Sequence, residues 1–183
     1  MHFAIVDFVA DIAQNAVEAG ASLVTVEIEE GEDSVLVRVT DDGCGMDEEG
    51  KSRAMDPFRS GGAKHPGRKV GLGLPFLAQA VGQNGGMFSL ESEKGRGSKV
   101  EFRFDRRQVD CPPMGDLPRL FLSTLCLPGD HELTIRRQRR SRTAEAVLEY
   151  RLSRQELAEA LGGLERASSL ALLKEYLESQ ENG

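Results

Sequence analysis

Cysteine is scarce in this chain, and its spacing rules out two schemes. Cys44, Cys111 and Cys126 form no C-x-x-C pair and leave one thiol over if two are joined. A disulfide framework and a zinc site are not expected, and reduced thiols of a cytoplasmic protein are. A surplus of positive charge is also missing: 23 Lys and Arg face 30 Asp and Glu, for a net charge of −7. That balance argues against nucleic acid or an anionic membrane as a general partner. Most of the acidity falls in residues 1–110, where 13 basic residues face 19 acidic ones. Long apolar runs are absent. The segment Met1-His2-Phe3-Ala4-Ile5-Val6-Asp7 has no basic leader, and Asp7 and Asp11 break up its apolar residues. Neither a signal peptide nor a membrane span is expected. There is no G-x-x-x-x-G-K-[ST] phosphate loop. Gly71-x-Gly73 lacks the third glycine and the preceding strand of a dinucleotide fingerprint. Internal repeats and low-complexity tracts are lacking too.

What remains is an ordinary globular composition of 183 residues, 39% hydrophobic and 29% charged, enough for one domain with an appendage. Ile5, Phe8, Val9, Ile12 and Ala16 fall on one helical stripe, so the spacing predicts a helix from about Phe3 to Ala19, closed by Gly20. Asp11, Asn15 and Glu18 follow at i, i+4 and i+7 and share a polar face. Val24, Val26 and Ile28 alternate with polar residues, as do Val35, Val37 and Val39, which predicts a hairpin turning at Gly31-Glu32-Asp33. Residues from Met46 to Lys69 are poor in apolar side chains and read as a long mobile loop. A helix opens at Gly71-Leu72-Gly73-Leu74-Pro75 and runs to about Val81. Strands follow at Met87–Glu93 and Ser98–Phe104.

Cys111-Pro112-Pro113 marks a boundary between residues 1–110 and 111–183. The second part reads as a small α+β extension whose placement the sequence does not give. It holds a helix (Asp116–Leu125), a hairpin (about Glu132–Arg137 with Ala146–Leu152) and a helix opened by Ser153-Arg154-Gln155-Glu156 and ended at Gly162-Gly163. A last amphipathic helix spans Leu170–Leu177.

The chemistry concentrates in three stretches. Asp41-Asp42-Gly43-Cys44-Gly45-Met46 ends a strand: its glycines let backbone approach a flat ligand, and Asp41 can accept a hydrogen bond from an amino group. Gly71-x-Gly73 at a helix start offers unpaired N–H groups to phosphate. Lys64, Arg68 and Lys69, on the intervening loop, can close over it. The amide oxygen of Asn15 is a good ligand for Mg²⁺ arriving with phosphate. Together these describe a Mg-nucleotide pocket with a lid.

Those stretches resemble the histidine-kinase-like ATPase superfamily. Asp11-Ile12-Ala13-Gln14-Asn15-Ala16-Val17-Glu18-Ala19-Gly20-Ala21 is similar to its N-box, Asp41–Gly45 to the G1 box and Asp56-Pro57-Phe58 to the F box. Gly71–Leu74 is similar to the G2 box of sensor kinases, and Gly95-Arg96-Gly97-Ser98 to the final glycine-threonine motif, with Ser for Thr. The resemblance implies an α/β fold of the Bergerat type, a two-layer sandwich whose mixed sheet is covered on one face by helices. It implies ATP and Mg²⁺ as cofactors, Asn15 as the Mg²⁺ ligand and Asp41 as the adenine-binding carboxylate. Asp11 stands where the hydrolases carry a glutamate general base, one methylene shorter. The nucleotide-binding set it implies is Asn15, Glu18, Ala19, Asp41, Gly43, Gly45, Met46, Lys64, Arg68, Lys69, Val70, Gly71, Leu72, Gly73, Leu74 and Ser98. The size and the Pro112–Asp116 junction resemble short stand-alone bacterial ATP-binding proteins, some forms of which are anti-sigma-factor kinases.

Two functions stay open: an ATPase or protein kinase acting on a regulatory partner protein, or a non-catalytic switch that docks a partner according to bound ATP or ADP. Homodimerisation is compatible with either. His131-Glu132-Leu133-Thr134 echoes a phosphoacceptor box, but it follows the ATPase region and starts a strand, so that role is not expected. The basic run Arg136–Arg142 lacks interleaved aromatics and reads as a solvated hairpin tip.

Overall fold

The computed structural model describes residues 3–57, 73–141 and 146–181. The first helix, α1 (Ile5–Glu18), buries Ile5, Phe8, Val9, Ile12, Ala13 and Ala16, the stripe that its spacing dictates. Its free N-terminal N–H groups are met from both sides. The Asp7 carboxylate accepts from the Ala4 amide at 2.8 Å, and the amides of Ile5 and Val6 donate to the carbonyls of Pro113 and Met114. The proline-rich junction is thus strapped across the start of α1.

Strands β1 (Leu23–Glu30) and β2 (Ser34–Asp41) form the expected hairpin, with Val26 opposite Val39 and Ile28 opposite Val37. The segment read as a loop after Met46 contains a short helix, α2 (Glu48–Ala54), capped where the Asp47 side chain accepts from the Gly50 amide. Its lack of buried residues explains why hydrophobic periodicity gave no sign of it. Then come α3 (Gly73–Asn84), β3 (Met87–Glu93), β4 (Gly97–Asp105) and α4 (Leu117–Leu125), the last capped by Asp116.

The C-terminal part does not sit beside the sheet but continues it. Strand β5 (Glu132–Arg140) pairs in parallel with β1, and β6 (Ala146–Ser153) pairs antiparallel with β5, giving the order β3-β4-β2-β1-β5-β6. Helices α5 (Arg154–Leu161) and α6 (Ala167–Glu181) follow; Ser153 caps α5 and a left-handed Gly162 ends it. One apolar core runs from Phe8 and Val9 through Val26, Val37 and Phe102 to Phe121, Ile135 and Leu173. The same six strands turn a ladder of charge outward, with Arg38 bridging Glu29 and Glu101 at 2.7 Å each and Arg136 facing Glu27. The architecture is the two-layer α/β arrangement expected from the sequence.

The basic run is the main departure from expectation. Its described part is not a solvated hairpin tip: β5 extends as far as Arg140, and strand alternation sends Arg137 inward while Arg136 points out; Arg142 lies outside the described residues. Arg137 is 1% exposed. Its guanidinium donates to Glu30 on β1, to Glu181 at the end of α6 at 3.1 Å, and to the Gln138 carbonyl. Tyr150 donates its hydroxyl to Glu181, and burial followed by this bond raises the phenol far above its usual range, so it stays a neutral donor. Removing one member of a buried charge cluster strands the rest. Arg137→Met should therefore lower unfolding free energy by about 3 kcal/mol, read as a fall in the urea midpoint.

Candidate functional site

A cavity of about 350 Å³ opens between α1, the end of β2, α2, the start of α3 and strands β3 and β4. Its walls include Ile12, Ala16, Leu74, Leu90 and Val100, with Asp11, Asn15, Asp41 and Ser98 as the polar groups. An apolar slot with a few convergent polar atoms is the usual form of a small-molecule site.

Each polar group is held by its own support. Asp41 ends β2, opposite Ser98 of β4, and its carboxylate accepts from the Gly43 amide at 2.9 Å. Burial raises its pKa, and the bonds from Gly43 and Ser98 partly offset this. Its neighbour Asp42 points the other way and accepts from the amides of Ser22 and Leu23, tying the turn to the start of β1. The turn is bound further by Cys44 N–H to the Ala19 carbonyl at 3.0 Å and Gly95 N–H to the Cys44 carbonyl at 2.7 Å. Gly45 has a positive φ of 59°, and a Cβ there would overlap the Glu93 carbonyl. Only glycine fits that position without displacing β3.

Beneath this turn lies a hydroxyl relay. Ser92 accepts from the Met46 amide at 2.8 Å and donates to the Gly97 carbonyl at 3.0 Å. Its Oγ is 2.9 Å from that of Ser98, a contact in which either hydroxyl can donate. Sequence reading missed Ser92, which sits mid-strand without a motif around it.

Asp11 and Asn15 share one face of α1, and the Asn15 amide nitrogen donates to Asp11 Oδ2 at 3.1 Å. An ionised carboxylate only accepts, so this bond turns the amide nitrogen toward Asp11 and leaves the amide oxygen for another partner. Burial raises the pKa of Asp11, the Asn15 bond lowers it, and the charge of Glu18 raises it again. The first residue of α3, Gly73, lies directly against the carboxylate; a Cβ there would overlap Asp11 Oδ2.

Of the expected binding residues, Asp11, Asn15, Ala19, Asp41, Gly45, Met46, Gly73, Leu74 and Ser98 line this one cavity. Gly43 is buried behind Asp41, and Glu18 is exposed off the wall, accepting from Gln14 at 3.0 Å. Lys64, Arg68, Lys69, Val70, Gly71 and Leu72, together with His65 and Phe58, lie outside the described residues. Arg53 on α2 lines the cavity and was not anticipated. Its segment carries no apolar period from which a helix, and hence a face, can be read. Cys44 also lines it, as an exposed free thiol.

His131 is far from this chemistry in character. It is 6% exposed, neither ring nitrogen has a hydrogen-bond partner, and burial, then the charge of Arg154, lowers its pKa. It is a largely buried residue beside Arg154 and Glu132 and does not line the Asp41 cavity. No helix among the described residues is long and apolar enough to cross a membrane.

The chain is 35% identical over 86 residues to the cell-division control histidine kinase PdhS of Brucella canis and of Brucella suis, covering 41% of this chain. It spans only 8% of the length of those kinases. Among solved structures, the N-terminal domain of a DNA repair protein superposes with a TM-score of 0.49 at 10% identity, covering 91% of this chain and 58% of that one. The catalytic domain of the histidine kinase ThkA superposes at 0.40 and 23% identity, covering 55% and 65%. The model of the family described as histidine kinase-, DNA gyrase B-, and HSP90-like ATPase matches residues 4–108, the part that builds the cavity, and the chain belongs to that ATP-binding family.

Proposed function

We propose that residues 1–110 bind Mg-ATP in the cavity at Asp41 and that the protein is an ATPase or a protein kinase acting on a partner protein. The observation that carries this reading is the convergence of Asp11, Asn15, Asp41 and Gly73 on one apolar slot. The slot's donor set fits the nucleotide. Asp41 supplies an acceptor for an exocyclic amino group on a floor of Ala16, Leu90 and Val100. Asn15 offers an amide oxygen, already oriented by Asp11, to a magnesium ion that arrives with phosphate. Bound Mg-ATP would supply the phosphoryl group and the charge that activates it for transfer.

Asp11 is the proposed general base, taking a proton from water or from a protein hydroxyl. Burial suits it to this work, since a carboxylate above its ordinary range holds a proton better at neutral pH. Arg53, the cation at the cavity wall, adds positive charge near the bound anion.

A nucleotide-responsive switch is the second reading, favoured by the contact of Asp11 with the start of α3. A phosphate and the Asp11 carboxylate would contend for the positive end of the same helix. Binding would then move α3, and a partner would read that movement.

Calorimetric titration with Mg-ATP, followed by phosphate release from the same sample, separates the readings. Under the first, Asp11→Asn cuts turnover by roughly 100-fold or more while the dissociation constant stays nearly unchanged. Turnover by wild type needs ionised Asp11, so the rate rises with pH through its elevated pKa, and this acidic limb disappears in Asp11→Asn. Binding by wild type with neither phosphate release nor transfer of labelled γ-phosphate to protein selects the switch. Asp41→Asn should weaken ATP binding roughly tenfold or more; undiminished affinity would remove Asp41 from the base-recognition role. Gly73→Ala forces a methyl onto Asp11 Oδ2, so turnover should fall more than thermal stability does, as compared by melting and phosphate release.

A further inference from the structure

The sheet has two outer strands, and they differ in one respect that decides what each can bind. Strand β3 carries Glu91 and Glu93 and no cation of its own, so no register of a second β3 against it pairs opposite charges within the strands. Strand β6, Ala-Val-Leu-Glu-Tyr-Arg-Leu-Ser, contains neither proline nor lysine, the residues that commonly protect an edge. Among the described residues no strand lies on its outer side. Its outward-facing residues are Val147, Glu149 and Arg151, all exposed, while Leu148, Tyr150 and Leu152 face the helices.

We propose that β6 is a homodimer edge, pairing antiparallel with β6 of a second copy about a twofold axis at Tyr150. Pairing by such an axis keeps the helices of both copies on one face of a continuous sheet. Centred on Tyr150, it sets Glu149 opposite Arg151 of the second copy, and Arg151 opposite Glu149, so two cross-strand ion pairs form. It also sets Leu148 opposite Leu152 on the helical face. Shifting the axis to Glu149 or to Arg151 places two like charges directly opposite, which is unfavourable. Of these three registers only the one centred on Tyr150 pairs opposite charges.

A second feature points to the same edge. Helix α6 covers the inner face of this corner through Leu173 and Leu177 but leaves Leu172 and Tyr176, one turn apart, 56% and 42% exposed. The end of α6 reaches this strand, where Glu181 accepts from the Tyr150 hydroxyl. On the opposite face of the sheet, Val147 of β6 is 61% exposed. Pairing about this axis brings the ends of the two α6 helices to the same side of the joined sheet, where exposed apolar side chains can add contact to the backbone pairing. This proposal is independent of what the cavity binds.

Sedimentation velocity over a concentration series tests it on the full chain. Wild type is expected to be a dimer. Glu149→Lys and Arg151→Glu should each weaken the dimer roughly tenfold or more, because each places like charges opposite twice. The register makes a sharper demand: an equimolar mixture of those two variants should form a heterodimer, since Lys and Arg of one chain then face two glutamates of the other. The double variant should dimerise like wild type. Arg151 also pairs with Glu156 at 3.2 Å within its own chain, so melting curves monitor folding, and recovery in the mixture cannot come from repaired folding. Glu91→Lys on β3 should leave association unchanged. A monomeric wild type, single variants that dimerise normally, a mixture that stays monomeric, or a loss caused by Glu91→Lys would each overturn the assignment.

Discussion

No side chain fits between the Asp11 carboxylate and the first residue of α3, and the layout of the cavity depends on that contact. Helix α1 supplies the acid and the amide, α3 supplies a helix start, and the absence of a Cβ at Gly73 is what lets them touch. Everything else around the slot holds these two helices and the Asp41 turn in fixed relation. The Pro113–Met114 strap fixes the beginning of α1, the Ala19 carbonyl fixes its end to the turn, and Ser92 fixes the turn to β3. A polar group in a partly apolar slot is costly unless it is partnered, so each support both positions a side chain and offsets part of its burial.

The buried arginine at the opposite end of the sheet is a different solution to the same problem. Arg137 sits where strand alternation demands an apolar residue, and two glutamates, a tyrosine and a carbonyl are gathered around it. Glu30 comes from β1 and Glu181 from the end of α6, so the cluster joins the first strand to the last helix. A buried charge cluster adds less to net stability than apolar packing would, but it tolerates few arrangements. It therefore fixes the register of β5 on β1 and the docking of α6. The cluster adds to the β1–β5 ladder and the shared apolar core that join the C-terminal strands to the sheet.

Local pattern carried much of this to the page in advance. Helix α1, the β1–β2 hairpin, strands β3 and β4 and the capped starts of α4 and α5 follow from periods of 3.6 and 2 and from capping residues, all set within a few positions of one another. Asp11, Asn15, Asp41, Gly45, Gly73 and Ser98 stood in recognisable short motifs, and they line one cavity. What was not legible depends on partners distant in the chain. A run such as Arg136-Arg137-Gln138-Arg139-Arg140 looks solvated until β1 and α6 are known to lie on one side of it. The parallel pairing of β5 with β1 joins residues over 100 positions apart and leaves no local trace. Helix α2 buries nothing and so has no apolar period, which hid Arg53 from the site.

The short acid of α1 takes on physical sense beside α3. The position of the missing Gly73 side chain lies 3.3 Å from Asp11 Cβ as well as against its carboxylate, so the helix start is close to the whole side chain. A glutamate in place of Asp11 would carry its carboxylate one carbon further, into the backbone of α3, unless it turned along the slot or the helix withdrew. Aspartate at 11 and glycine at 73 are thus a matched pair: the shorter acid leaves room for the helix, and the bare backbone leaves room for the acid. The slot that holds the pair also takes water away from the carboxylate, which disfavours its charged form, while the Asn15 bond favours it. Desolvation ranks first among the causes of its shift, so the balance still favours a raised pKa, the property a base in this position requires.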